Sequence, residues 1–202
     1  LLVPAFGLSG WAFQGNGWKG VAVLAPEASR TLLLSVATGG LCALGAFAMA
    51  RTLQGRPRLA ALTAFLALLA FALPGTLIGT GLIRLWNVPD WRGALYGSGT
   101  ILLLACLARA FAVPFLLVWR TLGSLPPSLE EAARLSGLPA WRRAWEIQLP
   151  LCRGSLMAGG LLAAMIAAGE VAASALVSPP GIQTLAPRLF SLVHFGADAA
   201  VG

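Results

Sequence analysis

Four stretches of this sequence, at about 30–50, 59–85, 94–119 and 152–177, stay apolar for longer than the ~18 to 20 residues needed to cross a bilayer. One soluble core could not hide that much apolar surface. Hydrophobic residues make up 58% of the chain and charged residues 10%, against ~25% charged in a soluble domain. The expected fold is therefore all-α: a polytopic transmembrane helix bundle crossing the membrane several times. Within the second stretch, Leu73-Pro74-Gly75 removes a backbone donor and predicts a kink. Residues 1–9 read as the tail of a preceding membrane segment and 10–28 as a Gly/Trp-containing loop, so 1–29 stand apart from a domain covering 30–202. The chain opens at Leu1 with no signal peptide and stops abruptly at Gly202, as a piece of a longer polypeptide would.

The net charge of +7 does not point to nucleic acid, because the basic residues form no stripe with interleaved aromatics. They gather near helix ends instead. The loops at 51–58 and 120–153 carry Arg51, Arg56, Arg58, Arg120, Arg134, Arg142, Arg143 and Arg153; the other side carries Lys19, Arg30, Arg84, Arg92 and Arg188. That asymmetry puts the 121–150 segment in the cytoplasm. Cys42, Cys106 and Cys152 are scattered, without a CxxC pair, and read as small apolar residues rather than ligands. Neither HExxH nor a nucleophile–base set is present, so no catalytic residue, metal site or cofactor is assigned. Glycines at 39–40, 45, 75, 79, 93, 97 and 159–160 suit close helix packing where lipid gives no hydrophobic drive.

The polar interval at 121–150 has its own logic. Pro126-Pro127 ends the third span, Ser128 is placed as an N-cap, and Glu131 three residues on completes a capping box. Gly137 falls where the chain must leave the short helix in a left-handed conformation. Pro139 can open a second helix carrying Trp141, Ala144, Trp145 and Ile147. The expected result is a helix–Gly turn–helix lying at the membrane surface. One alternative is an interfacial hairpin with no partner.

Glu131-Ala132-Ala133, Gly137, and Ile147-Gln148-Leu149-Pro150 follow the spacing EAA-x3-G-x9-I-x-LP. This resembles the coupling loop of binding-protein-dependent ABC importer permeases of the type I kind. Leu73-Pro74-Gly75 through Trp86-Asn87, Gly169-Glu170, Ser178-Pro179-Pro180-Gly181 through Thr184-Leu185, and His194-Phe195-Gly196 are similar to the iron(III)-type branch. The similarity runs over about 30–202, and it is to the C-terminal unit of chains that carry two. The resemblance implies a cell inner membrane protein that moves a solute, ferric iron first, delivered by an extracytoplasmic binding protein. It implies partner ABC ATPase subunits and a second permease unit. Glu131, Ala132, Ala133, Gly137, Ile147, Leu149 and Pro150 would then form the ATPase-coupling element. Thiamine, polyamine and oxyanion cargoes share the scaffold, and an ion-gradient-driven secondary transporter is the rival class. The chain has no GxxxxGK[ST] loop, so hydrolysis would belong to the partner.

Two ionisable residues fall inside the spans, where charge is costly and usually faces a partner or a watery path. Counted along straight helices, Glu170 stands ~25 Å above Arg153 and Arg109 ~16 Å above Arg120. Either the two pair to hold the bundle, across a mismatch of ~9 Å, or Glu170 lines the translocation path or gate. Tyr96 and His194 are the only Tyr and His, few ligands for ferric iron; His194 reads as a loop or interface residue. The loop at 178–191 is a candidate contact for the binding protein.

Overall fold

The computed structural model describes residues 17–88, 99–179 and 181–195. Among them it is helical throughout and holds no strand: α1 (Gly17–Thr52), α2 (Pro57–Ala72), α3 (Gly75–Trp86), α4 (Thr100–Ala110), α5 (Ala112–Gly123), α6 (Pro127–Leu135), α7 (Ala140–Ala168), α8 (Ala172–Val177) and α9 (Leu185–Phe195). The expected tail at 1–9, Tyr96, the Gly93/Gly97 pair and a final span beyond 196 lie outside the described residues.

On the two longest helices most inward residues are small and the large ones face outward, the reverse of a soluble helix. On α7, Cys152, Gly159, Ala163 and Ala167 are buried, while Met157, Leu161 and Met165 stand exposed on the other side. On α1, Thr31, Ser35, Thr38, Cys42, Ala46 and Ala50 form the buried face, and Leu33, Val36 and Leu44 are exposed. Lipid tails solvate large aliphatic side chains as well as a protein core does, so the bundle gains most by bringing backbones close. A Cβ on Gly39 would collide with the Gly160 carbonyl oxygen, and one on Gly159 would lie 2.7 Å from Pro114 Cα. The α1–α7 contact is the most extensive in the molecule.

Two helices, Leu24–Thr52 and Ala140–Ala168, are long and apolar enough to cross a membrane; α2 with α3 and α4 with α5 form bent pairs. Three sequence expectations change here. The helix α1 begins at Gly17 and carries Pro26 in its interior, so the part of the 10–28 loop that is described is helical. At Pro74 the chain does not kink but breaks, and α2 and α3 diverge by 104°. Leu73 (ψ 140°) and Pro74 (ψ 137°) are both extended. Pro disfavours helical ψ in the residue before it, which turns an anticipated kink into a corner. The third span bends too, by 48° between α4 and α5. Pro114 explains it: lacking an N–H, it cannot donate back to Ala110.

The fourth span departs in both directions. It starts at Ala140, twelve residues before the expected 152, because Ala140–Ala168 is one helix with a π turn over Arg143–Gln148. It ends at Gly169, and α8 resumes after a break. The helix after Gly137 is therefore no surface hairpin arm but the foot of a membrane span.

Gly39→Ala should lower the thermal stability of the detergent-solubilised protein by about 1–3 kcal/mol, the usual cost of overpacking. Gly40→Ala, whose Cβ meets nothing within 4 Å, should leave it unchanged.

Candidate functional site

The interval between α5 and α7 folds as a short helix and a glycine turn. Pro127 occupies the first helical position, where its missing N–H costs nothing. Pro126 O accepts the Leu129 N–H at 3.0 Å. Ser128 accordingly stands inside the first turn rather than at the N-cap, two residues from the register expected of a capping box. Ser136 closes the other end, its N–H and Oγ both donating to Ala132 O at 3.0 and 2.9 Å. Gly137 follows at φ 71°, the left-handed value that a non-glycine residue rarely adopts.

The motif residues divide by face. Glu131 and Ala132 are exposed and Leu135 is 89% exposed, whereas Ala133 is turned into the chain at 5%. Ile147 and Leu149 are half-buried and Pro150 is exposed. Leu149 packs against a core of Phe47, Ala50, Phe115, Val118, Leu122, Ala144 and Cys152. Phe111, Phe115 and Trp119 stack along α5 at centroid spacings of 5.7 and 6.1 Å beside it. Trp141 and Trp145 are exposed on the foot of α7, the amphipathic placement that suits a membrane boundary.

A clamp that the sequence did not announce ties this foot to the turn after α1. Arg51 Nη2 donates to Ala140 O. Gln148 Nε2 donates to Gln54 Oε1 at 3.2 Å, across the π turn. The signal was present in Arg51 and Gln54 as polar residues beside a tight turn, where Gly55 takes φ 77°. Nothing local, however, named a partner some ninety residues away. The clamp places 51–56 and the coupling segment at the same end of the bundle.

The second candidate site lies in the bundle, where the two helix breaks meet. Arg109 Nε is 2.9 Å from Glu170 Oε2, with the carboxylate side chain 6% exposed and the guanidinium 22%. The pairing alternative therefore describes this conformation. The anticipated mismatch of ~9 Å does not separate them: that count took Arg120 and Arg153 as level and the helices as straight, whereas α4 and α5 are bent by 48°. Arg109 Nη1 also donates to Leu73 O at 2.6 Å, the carbonyl at the end of α2. Glu170 Oε1 accepts the Ala173 N–H at 3.0 Å, capping α8. A Cβ on Gly75 would lie 2.6 Å from that same oxygen, so glycine at the start of α3 is what lets the carboxylate in. His194 sits in α9 rather than in a loop, with Nδ1 3.0 Å from Phe190 O and its ring stacked on Phe190, both contacts within its own helix. Among the described residues no cluster of His, Cys, Asp or Glu could hold a metal ion.

Double substitution Arg51→Ala with Gln54→Ala should raise amide hydrogen exchange across 140–148 at least several-fold and leave 153–165 protected. Unchanged exchange at 140–148 would show that the clamp holds nothing.

Residues 39–195 match the family described as "Binding-protein-dependent transport system inner membrane component". The chain is similar to the 2-aminoethylphosphonate transport system permease protein PhnV of Salmonella typhimurium (strain LT2), 30% identical over 133 residues, or 64% of this chain and 49% of that protein. It is also similar to the sulfate transport system permease protein CysW of Synechocystis sp. (strain PCC 6803), 33% identical over 118 residues, or 54% of this chain and 43% of that one. The chain thus spans about half the length of the curated relatives it matches.

Proposed function

This chain belongs to the binding-protein-dependent transport system inner membrane component family, the permeases of type I ABC importers, and from that premise we propose that it is the membrane channel subunit of an ATP-driven importer of small oxyanions. The observation that carries the mechanical part is the continuity of α7. From Ala140 beside the Gly137 turn to Ala168 beside Glu170 it is one helix of 29 residues, ~43 Å long at 1.5 Å per residue. A force passed through the Gly137 turn to Ala140 reaches Ala168 without crossing another loop.

On this reading the exposed side of α6, with Glu131, Ala132 and Leu135, meets an ABC ATPase subunit in the cytoplasm. Gly137 sets the angle between α6 and α7. Ala133 holds α6 against its own chain, while Ile147, Leu149 and Pro150 root α7 in the bundle. The opposite end, with the 178–191 segment, which from Leu185 on is α9 rather than the expected loop, faces the extracytoplasmic binding protein, and a second permease unit completes the channel in the cell inner membrane. ATP hydrolysis belongs to the ATPase partner.

The cargo assignment follows the relatives. Both are named for anions, 2-aminoethylphosphonate and sulfate, and this favours an oxyanion over the ferric iron suggested by the Pro/Gly signatures. A secondary-transporter reading draws support from one feature, the two helix breaks meeting at Glu170, since paired broken helices also mark ion-driven carriers. The two readings differ in their energy source.

In proteoliposomes holding the complete importer and its binding protein, uptake of sulfate or 2-aminoethylphosphonate should require ATP on the ATPase side. Leu135→Glu should cut it at least ten-fold, with the permease still folded. Uptake that continues without ATP and collapses with an ionophore would contradict the importer reading.

A further inference from the structure

At the end of the bundle remote from the coupling segment, a cavity of about 270 Å³ opens between the last turn of α8, the following loop and α9. Its polar lining is Ser178, Gln183, Arg188 and Ser191. No carboxylate is among its described lining residues. Arg188 and Ser191 are three apart on α9 and so share a face. Arg188 Nε is buried and has no hydrogen-bond partner. No ion pair joins Arg188 to another described residue.

A guanidinium with a buried, unpaired N–H is costly unless something completes it. Arginine's planar fork suits the oxygen pairs of sulfate, phosphate and phosphonate groups, and charge-assisted bonds to them are the strong kind. The loop that walls the cavity is held in place. Arg30 Nη1 donates to Gly181 O at 3.0 Å, and the Leu185 N–H donates to Thr31 Oγ1 at 2.8 Å. The middle of the loop and the start of α9 are thereby fastened to α1, with Gly181 turning at φ 85°. Ser178 Oγ spends its proton on Ser174 O at 2.6 Å. The donors left for an anion are Arg188, the Ser191 hydroxyl and the Gln183 carboxamide.

We propose that this cavity is an anion-receiving subsite, in which Arg188, with Ser191 and Gln183, takes a tetrahedral oxyanion at the outer mouth before it enters the bundle. The proposal rests on the oxyanion reading above and adds a location and a residue set to it. The cavity has room for one such group together with several waters. Neutralising Arg188 should therefore weaken capture without touching the coupling segment at the other end.

The test uses the complete importer and two readouts. In detergent, sulfate at millimolar concentration should raise the thermal midpoint of the wild-type complex above its value in chloride of equal ionic strength. Arg188→Gln should abolish that difference, Ser191→Ala should reduce it, and Arg188→Lys should retain part of it. Arg58→Gln, at the far end, should leave it unchanged. In proteoliposomes, Arg188→Gln should raise the KM for sulfate or 2-aminoethylphosphonate at least ten-fold while ATPase activity without cargo stays as in wild type. A sulfate-dependent shift equal in wild type and Arg188→Gln, or absent from wild type, overturns the subsite. If neither anion is taken up by the wild-type importer, the oxyanion reading fails, and the thermal comparison still decides whether the cavity binds an anion.

Discussion

A buried ion pair at a place where two helices stop is the constraint from which much of this bundle follows. Ionised side chains at bilayer depth cost ~2.5–3.5 kcal/mol each on insertion scales, and helix ends leave backbone groups without partners. The structure sets these two liabilities against each other. Arg109 satisfies the Leu73 carbonyl left over where α2 ends, Glu170 satisfies the Ala173 N–H at the start of α8, and the two charges satisfy each other. Pro74 makes the first break and Gly75 makes room for the carboxylate. Removing any one of these leaves another group unpaired in a poorly solvated place.

This arrangement gives α7 its role. One end of the helix carries the clamp from Arg51 and Gln54 and the Gly137 turn; the other leads through Gly169 to Glu170. Between them its small-residue face lies against α1 and Pro114 with almost no space to spare. Close packing of that kind resists bending, as the proposed transmitting role requires. The Gly137 turn and the charged junction thus lie at the two ends of one unbroken helix.

The all-α membrane fold was legible because apolar run length is a long-range signal that survives any detail of packing. Gly137 was legible because a left-handed turn leaves its mark on one residue. Breaks were harder. Pro74 announced a disturbance, but whether Pro bends or ends a helix depends on whether distant groups satisfy the freed carbonyl, here Arg109. The bend before Pro114 and the stop at Gly169 went unread because their packing partners are distant in sequence: Pro114 lies against Gly159 of α7, and Glu170 against Gly75 of α3. Counting both charges from Arg120 and Arg153 as one common level, along straight helices, set Glu170 and Arg109 ~9 Å apart in depth. In the coupling segment, spacing identified the motif residues but not their faces, and Ala133 proved to be an inward anchor beside the outward Ala132.

The central claim, that the Arg109–Glu170 contact joins the two breaks as one unit, is tested most directly by a double-mutant cycle. The stabilities of wild type, Arg109→Met, Glu170→Gln and the double variant would be measured by reversible unfolding in mixed micelles. The account predicts an interaction energy above about 1 kcal/mol, with the double variant losing well under the sum of the single losses. Losses that add to within ~0.5 kcal/mol, as for independent sites, would contradict it.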